Sequence, residues 1–244
     1  FYNKKAYKFN SIVSETNNLK YLKKKNLNFF PDIIKADENF LIMEYLLNDN
    51  NIPDETNIDF IKTIVKIHSI TSDNFGFKFN TQIGGDEQVN KFEKDWVQFF
   101  LNYRLIDIFE KITKNFKMPK DINLKLENLF KKINSYLPSN PTSRLLHGDL
   151  WQGNILFNNF KISGLIDPGS FYGHNEMELA YLRWFNPKFI DTNFISKYNE
   201  FITVDKKYFE YEPIYQLYYC LMNVYLWDRS YIKGVEDLLN KIKI

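Results

Sequence analysis

A chain of 244 residues is long enough for one large domain or for two lobes that share a cleft. Lysine plus arginine number 32 against 30 acidic residues, so there is no global field to collect nucleic acid or coat an anionic membrane, and neither is expected as a partner. The composition is 44% hydrophobic and 18% aromatic, yet no apolar run approaches the roughly 18 residues of a membrane span. Cys220 is the single cysteine, which excludes an intrachain disulfide; with no signal-like start, a reducing, cytoplasmic setting is expected.

In chain order, "KKAYKFN" alternates polar and apolar positions and reads as a strand. The chain opens without Met in the middle of what looks like a hairpin, so further residues are expected upstream of Phe1. A helix follows from about Ser14 to Lys25, with Ser14 as its N-cap, Leu19 and Leu22 on one face, and the lysine run solvating its end. "FPDII" and "FLIMEYL" are two more short strands. The polar linker "LLNDNNIPDETN" marks a boundary at Leu46–Asn51, after which the chain turns mostly helical.

"IDFIKTIVKIHSI" repeats Ile58, Ile61, Val65 and His68 at helical spacing, which makes His68 a core or helix-end residue before a ligand. "FGFKFNTQIGGDEQVN" reads as a loop broken by Gly84-Gly85. The aromatics Phe92, Trp96, Phe99 or Phe100, and Tyr103 then form a core stripe, and a further helix is expected around residues 122 to 136. The last third, including "IYQLYYCLMNVYLWDRSYI", reads as buried helix with Cys220 as an inert core thiol.

Chemistry concentrates in "LLHGDLWQGNILF", where Asn154 follows Asp149 by five positions, and in "LIDPGS", where Asp167 follows Asp149 by eighteen. Each polar residue stands at the end of an apolar run. The three match in type and spacing the H-R-D-x-x-x-x-N loop and later metal-holding Asp of protein kinases, with Gly148 in place of Arg. Phosphoryl transfer needs a carboxylate to accept the proton of the attacking hydroxyl, which suits Asp149. It also needs oxygen ligands for Mg²⁺, and Asn154 and Asp167 supply one neutral and one charged. The bland alternative, a turn closed by Asn154 and a cap at Asp167, fits each residue singly but not the three together. A kinase further requires a lysine on the ATP phosphates and a helix glutamate to hold it: Lys8 and Glu15 fit, and Met43, Glu44, Tyr45 and Leu46 fit the adenine hinge. A glycine-rich phosphate loop would precede Phe1.

H-G-D with Asn five positions after the Asp resembles the aminoglycoside phosphotransferase and choline kinase-like group. More narrowly, "LLHGDLWQGN" followed by "LIDPGSFYGHNEMELA" resembles the fructosamine kinase (ketosamine-3-kinase) family. "FGF", "IGG" with Gln88 and Asn90, "DWVQFF" ending in "YRL", and "IYQLYY" agree in order. The resemblance implies an α+β, bilobal protein-kinase-like fold, with a small antiparallel-sheet lobe at residues 1–46 and a larger mainly helical lobe at 47–244. It implies an ATP- and Mg²⁺-dependent kinase acting on the 3-hydroxyl of a ketosamine, with Trp151 and Tyr172 as substrate contacts and His147 as a brace of the catalytic loop. Where the family commonly has Asp in D-L-A, this chain has Glu178, whose extra methylene is expected to alter how the segment is supported. An aminoglycoside- or choline-type substrate, or a silent kinase-like scaffold, are the alternatives; the former would favour an acidic cluster after Asp149, and none is visible there.

Overall fold

The structure, a computed structural model, describes residues 9–53, 57–186 and 188–242. Lys8 and the "KKAYKFN" strand lie outside the described residues. The first helix, α1, spans Ser11–Lys24. Its cap is Asn10, whose side-chain oxygen accepts from Val13 N–H at 3.1 Å, so the helix starts a turn earlier than Ser14 suggests. Ser14 lies inside it, its hydroxyl donating to the Asn80 carbonyl at 3.2 Å. Leu19 and Leu22 are buried as the spacing requires. Strands β1 (Ile33–Ala36) and β2 (Leu41–Met43) pair antiparallel.

After an irregular stretch, α2 (Ile58–His68) buries Phe60, Ile61, Ile64, Ile67 and His68. The segment read as a loop contains a two-stranded hairpin, β3 (Thr81–Ile83) with β4 (Asp86–Gln88). Gly84 and Gly85 make its two-residue turn, both with positive φ (55° and 83°), the backbone that joins twisted strands most easily. Short strands with a Gly-Gly turn carry too little alternation to be legible beforehand.

Helix α3 (Trp96–Phe100), a π-helical turn (Leu101–Ile106) and α4 (Asp107–Asn115) follow as one run. Trp96, Phe99 and Phe100 are buried, whereas Phe92 precedes the helix and is 57% exposed, so it leaves the core stripe. Helix α5 (Lys120–Lys132), ending in a 3-10 turn at Ile133–Ser135, matches the predicted helix.

Strand β5 (Arg144–Leu146) leads into the His147–Asn154 loop, then β6 (Ile155–Asn158) and β7 (Lys161–Leu165) form a hairpin, and β8 (Phe171–Gly173) returns to pair with β5. Helices α6 (Asn175–Phe185), α7 (Thr192–Asn199), α8 (Tyr208–Leu226) and α9 (Ile232–Lys241) complete the larger part. Helix α8 is the predicted aromatic helix, buried along most of its length with Cys220 inside. No helix among the described residues is long and apolar enough to cross a membrane.

Candidate active site

The spacing of the three polar residues has a structural cause. In the β6–β7 hairpin Ile155 pairs with Leu165, and the turn residues Asn159 and Phe160 both have positive φ (52° and 60°). Asn154 and Ile166 therefore meet at the open end, where Ile166 N–H donates to the Asn154 carbonyl at 3.1 Å. Asp167 comes next, held at φ 53° in the left-handed region. Asn154 Nδ2 donates to the Asp149 carbonyl at 2.8 Å, which ties the hairpin to the loop that carries Asp149.

That loop is braced from below. Gly148 adopts φ 88°, and a Cβ there would lie 2.1 Å from the Gly169 carbonyl oxygen, so the Arg of the protein-kinase pattern has no room. Glu178 of α6 accepts from His147 N–H at 3.0 Å, from Gly148 N–H at 2.7 Å, and from His68 Nε2 at 2.9 Å. Burial alone would raise its pKa, but the His68 bond and the Gly148 N–H outweigh that and hold it below the usual carboxylate range. Glu178 is thus a clamp on two successive backbone amides. His147 donates from Nε2 to the Ile166 carbonyl at 2.9 Å while Nδ1 accepts from Asp149 N–H at 3.3 Å. Burial lowers its pKa to about 4, so it is a neutral brace and not a proton carrier at neutral pH.

Above this floor lies a cavity of about 540 Å³ onto which Asp149, Asn154, Asp167, Trp151 and Glu15 open. Burial, with a smaller contribution from the Asp167 charge, raises the pKa of Asp149 to about 7, and the Tyr181 hydroxyl, donating to Oδ1 at 3.2 Å, partly opposes this. Burial raises Asp167 as well, and burial plus the charge of Asp167 raises Glu15 to about 7. Three carboxylates from helix α1, the β5–β6 loop and the β7–β8 loop share one cavity, and no lysine, arginine or histidine among the described residues lines it.

The donor set fits a divalent cation. Asp167 has no hydrogen-bond partner among the described residues, and Asn154 uses only its Nδ2, leaving Oδ1 free; both are hard oxygen donors on the cavity wall. No cluster of three or more His, Cys, Asp or Glu able to hold a metal occurs among the described residues, so an ion here would complete its shell with phosphate oxygens and water.

The other predicted contacts separate. Trp151 lines the cavity, 37% exposed, with its ring over Gly153, where a Cβ would sit 2.4 Å from the indole; this explains the glycine two positions on. Tyr172 does not line it: pairing with Leu145 aims its side chain toward a second depression, where its hydroxyl meets that of Tyr21 at 2.8 Å. Met43, Glu44, Tyr45 and Leu46 also lie off this cavity. Glu44 N–H is engaged by the Asp32 carbonyl at 2.8 Å, and Tyr45 is 80% exposed. Sequence reasoning missed Tyr181, which grips Asp149 and stacks on Tyr219 with ring centroids 3.6 Å apart, and the Gln82–Gly85 wall of the β3–β4 hairpin. Tyr181 has no local signal beyond one more aromatic in a helix.

The fold is a bilobal, protein-kinase-like architecture, and solved structures agree with it. The chain spans 98% of its own length and 82% of the other in superposition on a crystal structure from Thermobifida fusca assigned as a fructosamine-3-kinase, with TM-score 0.85 and 22% identity. It also superposes on the ADP-bound aminoglycoside phosphotransferase APH(2'')-Ib, with TM-score 0.63 and 18% identity over 95% of this chain and 82% of that one. The chain belongs to the fructosamine kinase family, whose profile matches residues 3–244. It is similar to an Enterococcus faecium protein named "Probable ketoamine kinase", 32% identical over 187 residues; the match takes in 74% of this chain and 65% of that relative, just under two thirds of its length.

Proposed function

We propose that the protein is an ATP-dependent kinase that phosphorylates the 3-hydroxyl of a ketosamine, a fructosamine- or ribulosamine-type adduct on an amine or lysine, and so makes the adduct labile in a deglycation repair. The observation that carries this reading is the convergence of Asp149, Asn154 and Asp167 on one cavity, with their charge uncompensated by any cation among the described residues. Family membership supports it, as do relatives named for ketoamine and ketosamine kinases.

In this reading residues 1–46 form the nucleotide lobe and 47–244 the catalytic lobe. Asp149 accepts the proton of the sugar hydroxyl as its oxygen attacks the terminal phosphorus of ATP, while the bond from that phosphorus to the bridging oxygen breaks and ADP leaves. Asn154 Oδ1 and Asp167 would hold Mg²⁺, which would supply neutralisation of charge on the phosphates. Glu15, a half-buried carboxylate with no cation beside it among the described residues, is suited to pair with Lys8. Tyr45 and Leu46 offer backbone groups to the adenine, and Trp151 an aromatic face to the sugar adduct.

The test is a steady-state assay with ATP against fructosyl-, ribulosyl- and erythrulosyl-lysine beside kanamycin and choline. Turnover of the ketosamines, lost on the order of 10³-fold in Asp149→Asn with nucleotide binding retained, is the expected result. Phosphorylation of kanamycin or choline alone would replace the substrate class, and nucleotide binding without turnover of any would make the protein a scaffold.

A further inference from the structure

"IGG", Gln88, Asn90 and the arginine of "YRL" belong to the family resemblance, yet phosphoryl transfer assigns them no task. In the fold Arg104, Asn90 and Gln88, joined by Thr81, form one buried network of hydrogen bonds that ends beside Asp167, on the hairpin whose turn is Gly84-Gly85. Arg104 sits in the π-helical turn and is 1% exposed. One of its terminal nitrogens donates to the carbonyls of Val89 and Tyr103, each at 2.8 Å, and the other to Asn90 Oδ1 at 2.6 Å. The rings of Phe171 and Phe99 lie 4.2 and 4.8 Å from its guanidinium carbon, and no carboxylate pairs with it among the described residues. A guanidinium buried without a counter-ion is costly, so these contacts must compensate it.

The chain continues from Asn90. Its Nδ2 donates to Thr81 Oγ1 at 2.8 Å, and Thr81 Oγ1 donates to the Gly169 carbonyl at 3.1 Å. Gln88 Nε2 reaches the same carbonyl at 3.3 Å. Gly169 lies so close to the hairpin that a Cβ would be 2.1 Å from the Gln82 carbonyl oxygen. Around Asp167, then, three carbonyls are gripped by side chains: Ile166 by His147 at 2.9 Å, Pro168 by Asn18 at 2.9 Å, and Gly169 by Thr81 and Gln88. Asp167 itself has positive φ, a conformation that a non-glycine residue keeps only where its surroundings enforce it.

We propose that Arg104, Asn90 and Thr81 are positioning residues for the Asp167 carboxylate, acting through the Gly169 carbonyl, and that they set the affinity of the site for the nucleotide-bound divalent cation. The β3–β4 hairpin thereby serves as the outer support of a metal ligand. This rests on the reading of Asp167 as that ligand. Groups bonded directly to a metal-ligating side chain are worth about 10- to 100-fold in metal affinity, and supports that act through a neighbouring carbonyl are expected at the low end of that range.

The experiment titrates Mn²⁺ into the full chain with a non-hydrolysable ATP analogue, reading free Mn²⁺ by electron paramagnetic resonance below the melting temperature of every variant. Thr81→Val removes the hydroxyl at constant shape and is expected to weaken Mn²⁺ binding about tenfold. Thr81→Ser keeps the hydroxyl and is expected to stay within about threefold of wild type. Arg104→Lys should move in the same direction as Thr81→Val. If Thr81→Val does not fold, Gln88→Met, which severs the second bond to the same carbonyl, takes its place. A lowered melting temperature with Mn²⁺ affinity unchanged overturns the positioning role, because a purely structural contact behaves that way. Asp167→Asn separates the two layers: if it leaves Mn²⁺ affinity unaltered, the ligand assignment fails and the positioning role with it. If it abolishes binding while Thr81→Val does not weaken it, only the positioning role fails.

Discussion

The floor and the tip of the His147–Asp149 loop each hold a buried carboxylate, and the two have opposite proton affinities. Glu178, wholly buried, is depressed because two backbone amides and His68 supply three donors. Asp149 is nearly as buried, with the charges of Asp167 and Glu178 adding to the effect of burial and only the Tyr181 hydroxyl and, more weakly, the Asn154 side chain opposing it, and its pKa rises to about 7. Burial is common to both. The count of donors decides which acid is a permanent charge that holds the backbone and which is poised to take a proton.

The comparison breaks most visibly at the floor. Glu178→Ala strands the His147 and Gly148 amides and is expected to destabilise the protein by about 3–4 kcal/mol in urea unfolding, since it removes one side of a buried, multiply bonded pair. Loss of under about 1 kcal/mol would mean that solvent replaces the carboxylate and that the loop needs no clamp.

At the tip the sign is reversed. The folded-state pKa of Asp149 lies above its unfolded value near 3.9, so between them the native state binds the extra proton and stability falls as pH rises from about 4 to about 7. Asp149→Asn does not titrate. In the metal-free protein it should match wild type below pH 4 and exceed it by at most about 4 kcal/mol at pH 8, about three pKa units at about 1.4 kcal/mol each, measured by thermal or urea unfolding at both pH values. Equal stability at pH 8 would show that the carboxylate is not destabilised by its burial.

The finest effect concerns Tyr181. In the proposed role of base Asp149 must be ionised, so kcat/KM should rise tenfold per pH unit up to an inflection near 7. Tyr181→Phe removes the one side-chain hydroxyl that favours the carboxylate and should move that inflection upward by about half a unit. A downward move would reverse the role assigned to the hydroxyl.

Much of the site was legible because its residues are local. His147, Asp149 and Asn154 lie on one loop between apolar strands, and the hairpin that returns Asp167 to Asn154 is short, so spacing alone carries their proximity. Helix α1, helix α2 with its buried His68, and helix α8 were equally plain from periodicity. The hairpin at Thr81–Gln88 was not, because three-residue strands show no alternation and Gly-Gly reads as a loop. Tyr172 was misplaced because the face to which a strand residue points depends on its register against β5, which no motif encodes.

Residue type, order and spacing by themselves determined the family, the two-part α+β architecture, and the three polar groups set at the ends of apolar runs. The tertiary structure alone decided that Glu15 joins Asp149 and Asp167, that Glu178 reaches two amides, and that Thr81 and Arg104 stand behind Gly169. The reason is electrostatic: a carboxylate's charge state is set by its burial and by the donors around it, and here those come from elements between about 30 and 110 residues away in the chain.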